Sequence, residues 1–232
     1  MVFDDRDGSR HERVAILFDI DGTLIESGGA GAESWRIAFD ELYGVPADIN
    51  ALTDAGMTDP EVGRLTFRKV VGREPTTREL ARLLAKRNAL LPRTVAESAG
   101  YRVLPGVKQL LPRLSEEGYL LGLTTGGVQS AAHIKLERAH LNRYFHFGGY
   151  GSDSPDRGDL TRHAIERAAV IVGRPLSQEE ALVVGDTPYD IGAAHEADAV
   201  GVGVATGHYS KQELAEAGAD YVLGSLEEEL PL

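Results

Sequence analysis

The 232-residue sequence contains no cysteine, which excludes disulfides, thiolate metal sites and cysteine nucleophiles. It also lacks any apolar run approaching the roughly 20 residues that a membrane-spanning helix needs, so no membrane is expected as a partner. Residues 1–13 are highly charged and lack the apolar centre of a signal peptide. We therefore expect a cytoplasmic protein whose residues 1–12 form a loose extension.

Positive charge is scarce in this sequence. The 24 Lys and Arg residues are outnumbered by 36 Asp and Glu residues, which gives a formal net charge of −12. Such a surface repels phosphate backbones and anionic lipids, so nucleic acid is not expected as a partner. A small anionic substrate is compatible with this charge, because a metal ion and a few cations can reverse the field within one cleft. We expect a monomer or a homodimer.

Strands and helices alternate over most of the chain. An apolar run at residues 14–20 predicts a strand buried on both faces, and similar patterns predict strands at 119–124, 145–150, 181–184 and 200–204. Helical patterns lie between them, at about 105–117, 128–139, 160–172 and 191–197. This alternation predicts an α/β fold, a three-layer Rossmann-like parallel sheet core with right-handed crossovers.

A long stretch without strand patterns interrupts this alternation. A helical pattern runs from Trp35 to Leu42, and another covers residues 59–98 with a break near 72–76. We predict an all-helical cap domain at 26–100, inserted into a discontinuous core domain formed by 1–25 and 101–232. Gly-rich and Pro/Gly segments at both junctions can act as hinges.

Polar residues stand at the ends of four predicted strands: Asp19 and Asp21, Thr124 and Thr125, residues 152–157, and Asp186. Ligands bind beyond the carboxyl ends of parallel strands, so we expect these residues to meet. Crowded carboxylates repel each other by several kcal/mol, on the order of 4 at 4 Å and an effective dielectric near 20. A divalent cation offsets that repulsion, and an all-oxygen ligand set favours Mg²⁺. A turn-forming role for a single Asp-Gly pair is the alternative, and it does not explain four strand ends together.

Three short motifs resemble those of one known family. Residues 19–24 (DIDGTL) match the DxDGT(L/V) signature of the haloacid dehalogenase-like hydrolases. Thr124, after an apolar strand, is similar to their second motif, and residues 185–190 (GDTPYD) to their fourth, GDxxxD. The order, spacing and helical insert also match from about residue 13 onward. The insert resembles the caps of phosphoglycolate phosphatase-like members.

The resemblance implies roles for individual residues. Asp19 would attack phosphorus to form an aspartyl-phosphate, and Asp21 would act as general acid and then base. Asp19, the backbone carbonyl of Asp21 and Asp186 would ligate Mg²⁺, with Asp190 contributing through water. The phosphoryl oxygens would be held at a helix N-terminus by Thr124 and by the backbone N–H groups of Thr125 and Gly126.

The third motif departs from the family pattern, which usually places a lysine after the third strand. Residues 152–159 contain no lysine, so Arg157 is the first candidate for the cation and Arg162 the second. The alternative for Arg157 is a surface residue in a polar loop.

Asp21 narrows the reaction that the resemblance implies. Dehalogenases and phosphonate-cleaving relatives lack this second aspartate, whereas phosphatases and sugar-phosphate mutases keep it. We therefore predict a phosphatase acting on a small phosphorylated metabolite, with a mutase as the alternative and a non-catalytic binding protein as a weaker one. Within the cap, the segment 52–60 is expected to lie over the site, where Thr58 and Asp59 would influence substrate preference.

Overall fold

The computed structural model describes residues 13–53 and 56–232, so the predicted extension at 1–12 and part of the predicted loop at 52–60 lie outside it. Its strands are β1 (Ala15–Phe18), β2 (Ile25–Glu26), β3 (Arg102–Val103), β4 (Leu120–Thr125), β5 (Phe147–Tyr150), β6 (Ala181–Gly185), β7 (Val200–Val204) and β8 (Tyr221–Leu223). Its helices are α1 (Ala30–Tyr43), α2 (Asp59–Val71), α3 (Thr77–Glu97), α4 (Val107–Glu116), α5 (Gln129–Glu137), α6 (Arg157–Val172), α7 (Pro188–Glu196) and α8 (Lys211–Glu216). None of the described helices is long and apolar enough to cross a membrane.

Six strands form a parallel sheet in the order β5–β4–β1–β6–β7–β8. Strand β1 lies between β4 and β6, with Ala15 paired to Leu120 on one side and to Ala181 on the other. From β1 the chain builds β4 and β5 on one side and then crosses to β6, β7 and β8 on the other, and ligands bind at such a switch point. The position of β1 therefore puts the residues that follow it at the centre of the expected site.

The two faces of β1 belong to separate hydrophobic clusters. Ile16 and Phe18 pack with leucines of α4 and with α5, whereas Ala15 and Leu17 pack with alanines of α6 and α7. All four residues of this strand are fully buried. The predicted α/β architecture with helices on both faces of a parallel sheet is confirmed.

Helices α1, α2 and α3 lie between β2 and β3 and have a hydrophobic cluster of their own, centred on Trp35, Phe39 and Phe67. At Gly63 of α2, a Cβ atom would stand 3.1 Å from the Trp35 ring, so glycine allows this close helix contact. The separate cluster supports the predicted division into a core of 1–25 with 101–232 and a cap of 26–100. That division stays a prediction.

Several short elements differ from the sequence expectation. The two-residue strands β2 and β3 pair antiparallel at the two ends of the helical stretch, and they are too short to show a periodic pattern. Helix α8 and strand β8 were also not predicted. Helix α6 begins at Arg157 rather than at 160, because the Asp156 side chain accepts the N–H of Asp159 and caps the helix there.

Candidate active site

Three carboxylates meet at the carboxyl end of β1. Asp19, Asp186 and Asp190 are buried, and one carboxylate oxygen from each lies within 4.8 Å of the others. The Asp19 N–H donates to the Val184 carbonyl at 2.9 Å. This hydrogen bond extends the pairing of β1 with β6 and fixes the backbone of Asp19 at the end of the strand. Sequence reasoning expected these residues to converge, and the structure brings them together.

The backbone around Asp186 is shaped to receive its carboxylate. Gly22 has φ +88°, which glycine adopts without strain, and a Cβ atom at Gly22 or Gly207 would overlap the Asp186 carboxylate. Thr23 Oγ1 donates to Asp186 Oδ1 at 3.2 Å. The turn at residues 19–24 therefore positions Asp186 of the fourth motif as well as the aspartates of the first motif.

Burial and mutual repulsion disfavour the ionised forms of these carboxylates. Burial, with the nearby Asp190 charge, raises the pKa of Asp19 to about 8, although Arg157 opposes this. Burial, followed by the Asp19 and Asp190 charges, raises the pKa of Asp186 to about 9. Buried carboxylates with raised pKa values are characteristic of functional sites. An oxygen-only donor set of this kind fits a hard divalent cation.

Asp190 is held by two groups. Its Oδ2 accepts the N–H of Thr187 at 3.1 Å and the Thr187 hydroxyl at 2.7 Å, in a capping box that begins α7. Its Oδ1 contacts the Arg157 guanidinium. Both carboxylate oxygens of Asp190 thus have protein partners. This suits a residue that orients Arg157 and the start of α7 and does not serve as a metal ligand alone.

Arg157 occupies the position that sequence reasoning gave to the third-motif cation. Besides Asp190, its Nη2 lies 3.5 Å from Asp19 Oδ1, and its side chain is only 10% exposed. Its buried Nε has no hydrogen-bond partner among the described residues. Arg162, the second candidate, donates instead to the Glu196 carbonyl at 2.8 Å on the exposed side of α6. The structure therefore places Arg157, and not Arg162, beside the carboxylates.

The predicted phosphate-binding residues lie at the end of β4. Phe18 pairs with Leu123, so Thr124 follows on β4 as Asp19 follows on β1, and the two lie side by side at the sheet edge. The Thr124 hydroxyl is 2.7 Å from that of Thr161 on α6. The Thr125 hydroxyl accepts the N–H of Gly127 at 3.2 Å, which shapes the turn into α5.

The cap lies directly on this turn. The Asp59 N–H donates to the Gly126 carbonyl at 2.8 Å, and a Cβ atom at Gly126 would stand 2.5 Å from the Met57 carbonyl oxygen. Thr58 is fully buried, and its hydroxyl has no hydrogen-bond partner among the described residues. Residues 57–59 of the predicted loop therefore lie against the turn that follows β4.

Asp59 also joins the cap to the core. Its Oδ2 accepts the N–H of Val128 at 2.9 Å, just before α5 begins, and lies 3.2 Å from Nη1 of the buried Arg87. The Arg87 guanidinium lies 5.5 Å from the centre of the Trp35 ring. This buried ion pair was not anticipated, because Arg87 sits in a helix whose other basic residues are mostly exposed.

Comparison with known proteins agrees with this geometry. The family model for haloacid dehalogenase-like hydrolases matches residues 14–198, which is most of the chain. The chain belongs to this family. A phosphoglycolate phosphatase of Salmonella choleraesuis is 28% identical to this hydrolase, over 93% of this chain and 90% of the relative.

Solved structures share the fold of this hydrolase. A hydrolase from Pseudomonas syringae is 28% identical, with a TM-score of 0.68, and the match covers 93% of this chain and 94% of that one. A protein from Bacteroides vulgatus, provisionally described as a beta-phosphoglucomutase, has a TM-score of 0.65 at 22% identity, with coverage of 93% and 85%. The second similarity shows the fold alone.

Sequence reasoning missed one cation of this hydrolase's site. Lys135 on α5 is buried, and its ammonium contacts Oδ2 of Asp21. Its burial, which Ala131, Ala132 and Leu136 of the same short helix share, results from tertiary packing and gives no clear periodic signal in the sequence. A lysine on the buried face of a helix needs a charged partner, whereas lysines on helices are usually exposed.

Proposed function

We propose that this chain is a Mg²⁺-dependent phosphatase that hydrolyses a small phosphorylated metabolite through an aspartyl-phosphate at Asp19. The observation that carries the proposal is the cluster of Asp19, Asp186 and Asp190 at the end of β1, with Arg157 bound to it. The family assignment and the curated relatives support a phosphatase.

In this proposal Asp19 acts as the nucleophile. In the first half-reaction a bond forms between its carboxylate oxygen and phosphorus, while the ester P–O bond breaks and the leaving oxygen keeps the electron pair. Asp21 gives that oxygen a proton. In the second half-reaction water attacks phosphorus and loses a proton to Asp21, which releases inorganic phosphate and free Asp19.

The remaining residues of the site bind and orient the phosphoryl group. Arg157 offers a cation beside the attacking carboxylate, and its buried Nε has no hydrogen-bond partner among the described residues. Thr124, Thr125 and Gly126 lie at the end of β4, where the Thr124 hydroxyl and the backbone N–H groups of the other two would hold phosphoryl oxygens.

The carboxylate cluster fits Mg²⁺ by its chemistry. Asp19, Asp186 and the backbone carbonyl of Asp21 would hold the ion, with Asp190 contributing through water. When bound, the ion neutralises charge on the phosphoryl oxygens and on the crowded carboxylates. Asp19 must be ionised to attack, and the raised pKa of the metal-free site opposes that at neutral pH.

For the substrate, we propose a small phosphate monoester with 2-phosphoglycolate as the first compound to test, because the named relatives are phosphoglycolate phosphatases. Close approach of Met57 and Asp59 to Gly126 supports a small substrate. A sugar-phosphate mutase is the alternative. It would interconvert sugar phosphates in a bisphosphate-dependent way instead of releasing phosphate.

A phosphate-release screen over phosphorylated metabolites, with and without Mg²⁺, tests this function. We expect release from a small monoester that requires Mg²⁺ and is lost in Asp19→Asn. Full activity of Asp19→Asn with Mg²⁺ present would refute the mechanism. Bisphosphate-dependent isomerisation without phosphate release would instead identify a mutase.

A further inference from the structure

A second cation reaches the site from the side opposite Arg157. Arg157 comes from α6 and contacts Asp19 and Asp190, whereas Lys135 comes from α5 and contacts Asp21. The Lys135 side chain is 10% exposed, and the Asp21 side chain is 40% exposed. Lys135 therefore makes its direct ion pair with the acid/base residue Asp21, although its charge also favours the ionised form of Asp19.

Burial makes the contact between Lys135 and Asp21 restrictive. An ammonium removed from water is costly unless it is paired, and Asp21 is the carboxylate that lies within ion-pair distance of Lys135 among the described residues. Asp21, being partly exposed, has other orientations open to it in water. The ion pair with Lys135 therefore restricts the orientation of the Asp21 side chain, which would be freer without it.

The backbone that carries Lys135 is itself anchored. The Tyr101 hydroxyl donates to the Lys135 carbonyl at 2.7 Å, and the Arg138 guanidinium lies 4.6 Å from the centre of the Tyr101 ring. Residues before and after Lys135 are buried in the core clusters. Because helix and stem are both fixed, the ammonium defines a fixed point for the Asp21 carboxylate.

We propose that Lys135 is a positioning residue that holds the Asp21 carboxyl in the orientation from which it exchanges a proton with the substrate. The proposal rests on the proposed phosphatase function. As the ester P–O bond breaks, the leaving oxygen keeps the electron pair and takes the proton from Asp21. A misplaced Asp21 slows this step only where the leaving group needs the proton.

Two aryl esters of equal ring size separate this role from a general loss of activity. Phenolate leaves poorly and needs a proton, whereas 4-nitrophenolate leaves well without one. The parameter to compare is kcat/KM, since it reports the steps up to departure of the leaving group. We expect Lys135→Met to lower kcat/KM for phenyl phosphate by about 10-fold or more and for 4-nitrophenyl phosphate by less than about 3-fold.

Further variants link the effect to Asp21. In an Asp21→Asn background, Lys135→Met should change neither ester further, because the group that it positions is gone. Lys135→Arg keeps a cation and should recover part of the phenyl phosphate activity. Lys108→Met removes a matched charge from an exposed position of α4 and should change neither ester. Thermal unfolding and competitive inhibition by inorganic phosphate report whether each variant keeps its fold and its phosphate site.

Three results would overturn the proposal: an equal loss on both esters, no loss on either, or a further loss in the Asp21→Asn background. Failure of the proposed phosphatase function would give a different result, because the wild type itself would then release no phosphate from either ester.

Discussion

The ion pair between Arg87 and Asp59 gives a sharp prediction about what holds the cap to the core. Both side chains are nearly inaccessible to solvent, at 2% and 10% exposure, and Asp59 also binds the Val128 N–H. Replacing Arg87 by methionine keeps most of the apolar stem but leaves the Asp59 charge buried with a single neutral donor. It also removes the guanidinium from the Trp35 ring.

The magnitude follows from that loss. Removing one partner of a buried ion pair costs about 3–5 kcal/mol, and the remaining Val128 donor places the expected value near the lower end. For a chain of this length, about 3 kcal/mol corresponds to a fall in Tm of about 6–12 °C. Arg82→Met removes an exposed arginine from the same helix and should change stability by less than about 0.5 kcal/mol.

A double-mutant cycle tests the physical cause. The free energy of unfolding is measured by denaturant titration for Arg87→Met, Asp59→Asn and the double variant. Because either single change leaves one buried group unpaired, the double variant should be less destabilised than the sum of the two, by about 1 kcal/mol or more. Additive effects, or a loss in Arg87→Met no larger than in Arg82→Met, would refute this reasoning.

Three other predictions concern the site itself. The raised pKa values of Asp19 and Asp186 mean that the metal-free protein binds protons more tightly folded than unfolded, so their contribution to stability is full below about pH 4 and is lost as pH rises through 8 to 9. The increase in Tm on adding Mg²⁺ should therefore be larger at pH 8.5 than at pH 6; an equal increase at both would contradict the ligand assignment. Arg157→Met should lower kcat/KM by about 100-fold or more, on the scale of losing one preorganised charge-stabilising group, while Arg162→Met changes it little. If steady-state assays gave comparable losses of kcat/KM for the two variants, Arg157 would not be the third-motif cation. Thr58→Ala should alter the relative kcat/KM values for different substrates, and it should have a smaller effect on the Mg²⁺ concentration that gives the half-maximal rate. Unchanged relative kcat/KM values would rule out a specificity role.

The sheet and the carboxylate cluster could be predicted from the sequence because both depend on strong local patterns. An apolar run such as residues 14–20 has few alternatives to a buried strand, and aspartates at strand ends must meet in a parallel sheet. Arg157 was identified differently, because the family resemblance calls for a cation after the third strand. The start of α6 depends on a cap at Asp156 that a helical pattern does not show.

Pairings between distant charged side chains could not be predicted. Lys135 with Asp21 and Arg87 with Asp59 are 114 and 28 positions apart, and each arginine or lysine sits in a helix where exposure is the usual outcome. What decides their burial is the packing of α3 and α5 against the core, which is a tertiary property. The two-residue strands β2 and β3 are hidden for a similar reason, since each exists only through pairing with the other.

The covalent role of Asp19 can be tested directly by trapping the phospho-enzyme. Asp21→Asn enzyme, which lacks the base for the second half-reaction, is mixed with 4-nitrophenyl phosphate and Mg²⁺, quenched in acid and mapped by tandem mass spectrometry. We predict a phosphoryl group on the peptide containing residues 19–24, located on Asp19 and absent in the Asp19→Asn, Asp21→Asn double variant. Turnover by an enzyme that never carries phosphate on Asp19, or phosphate on another residue, would contradict the account.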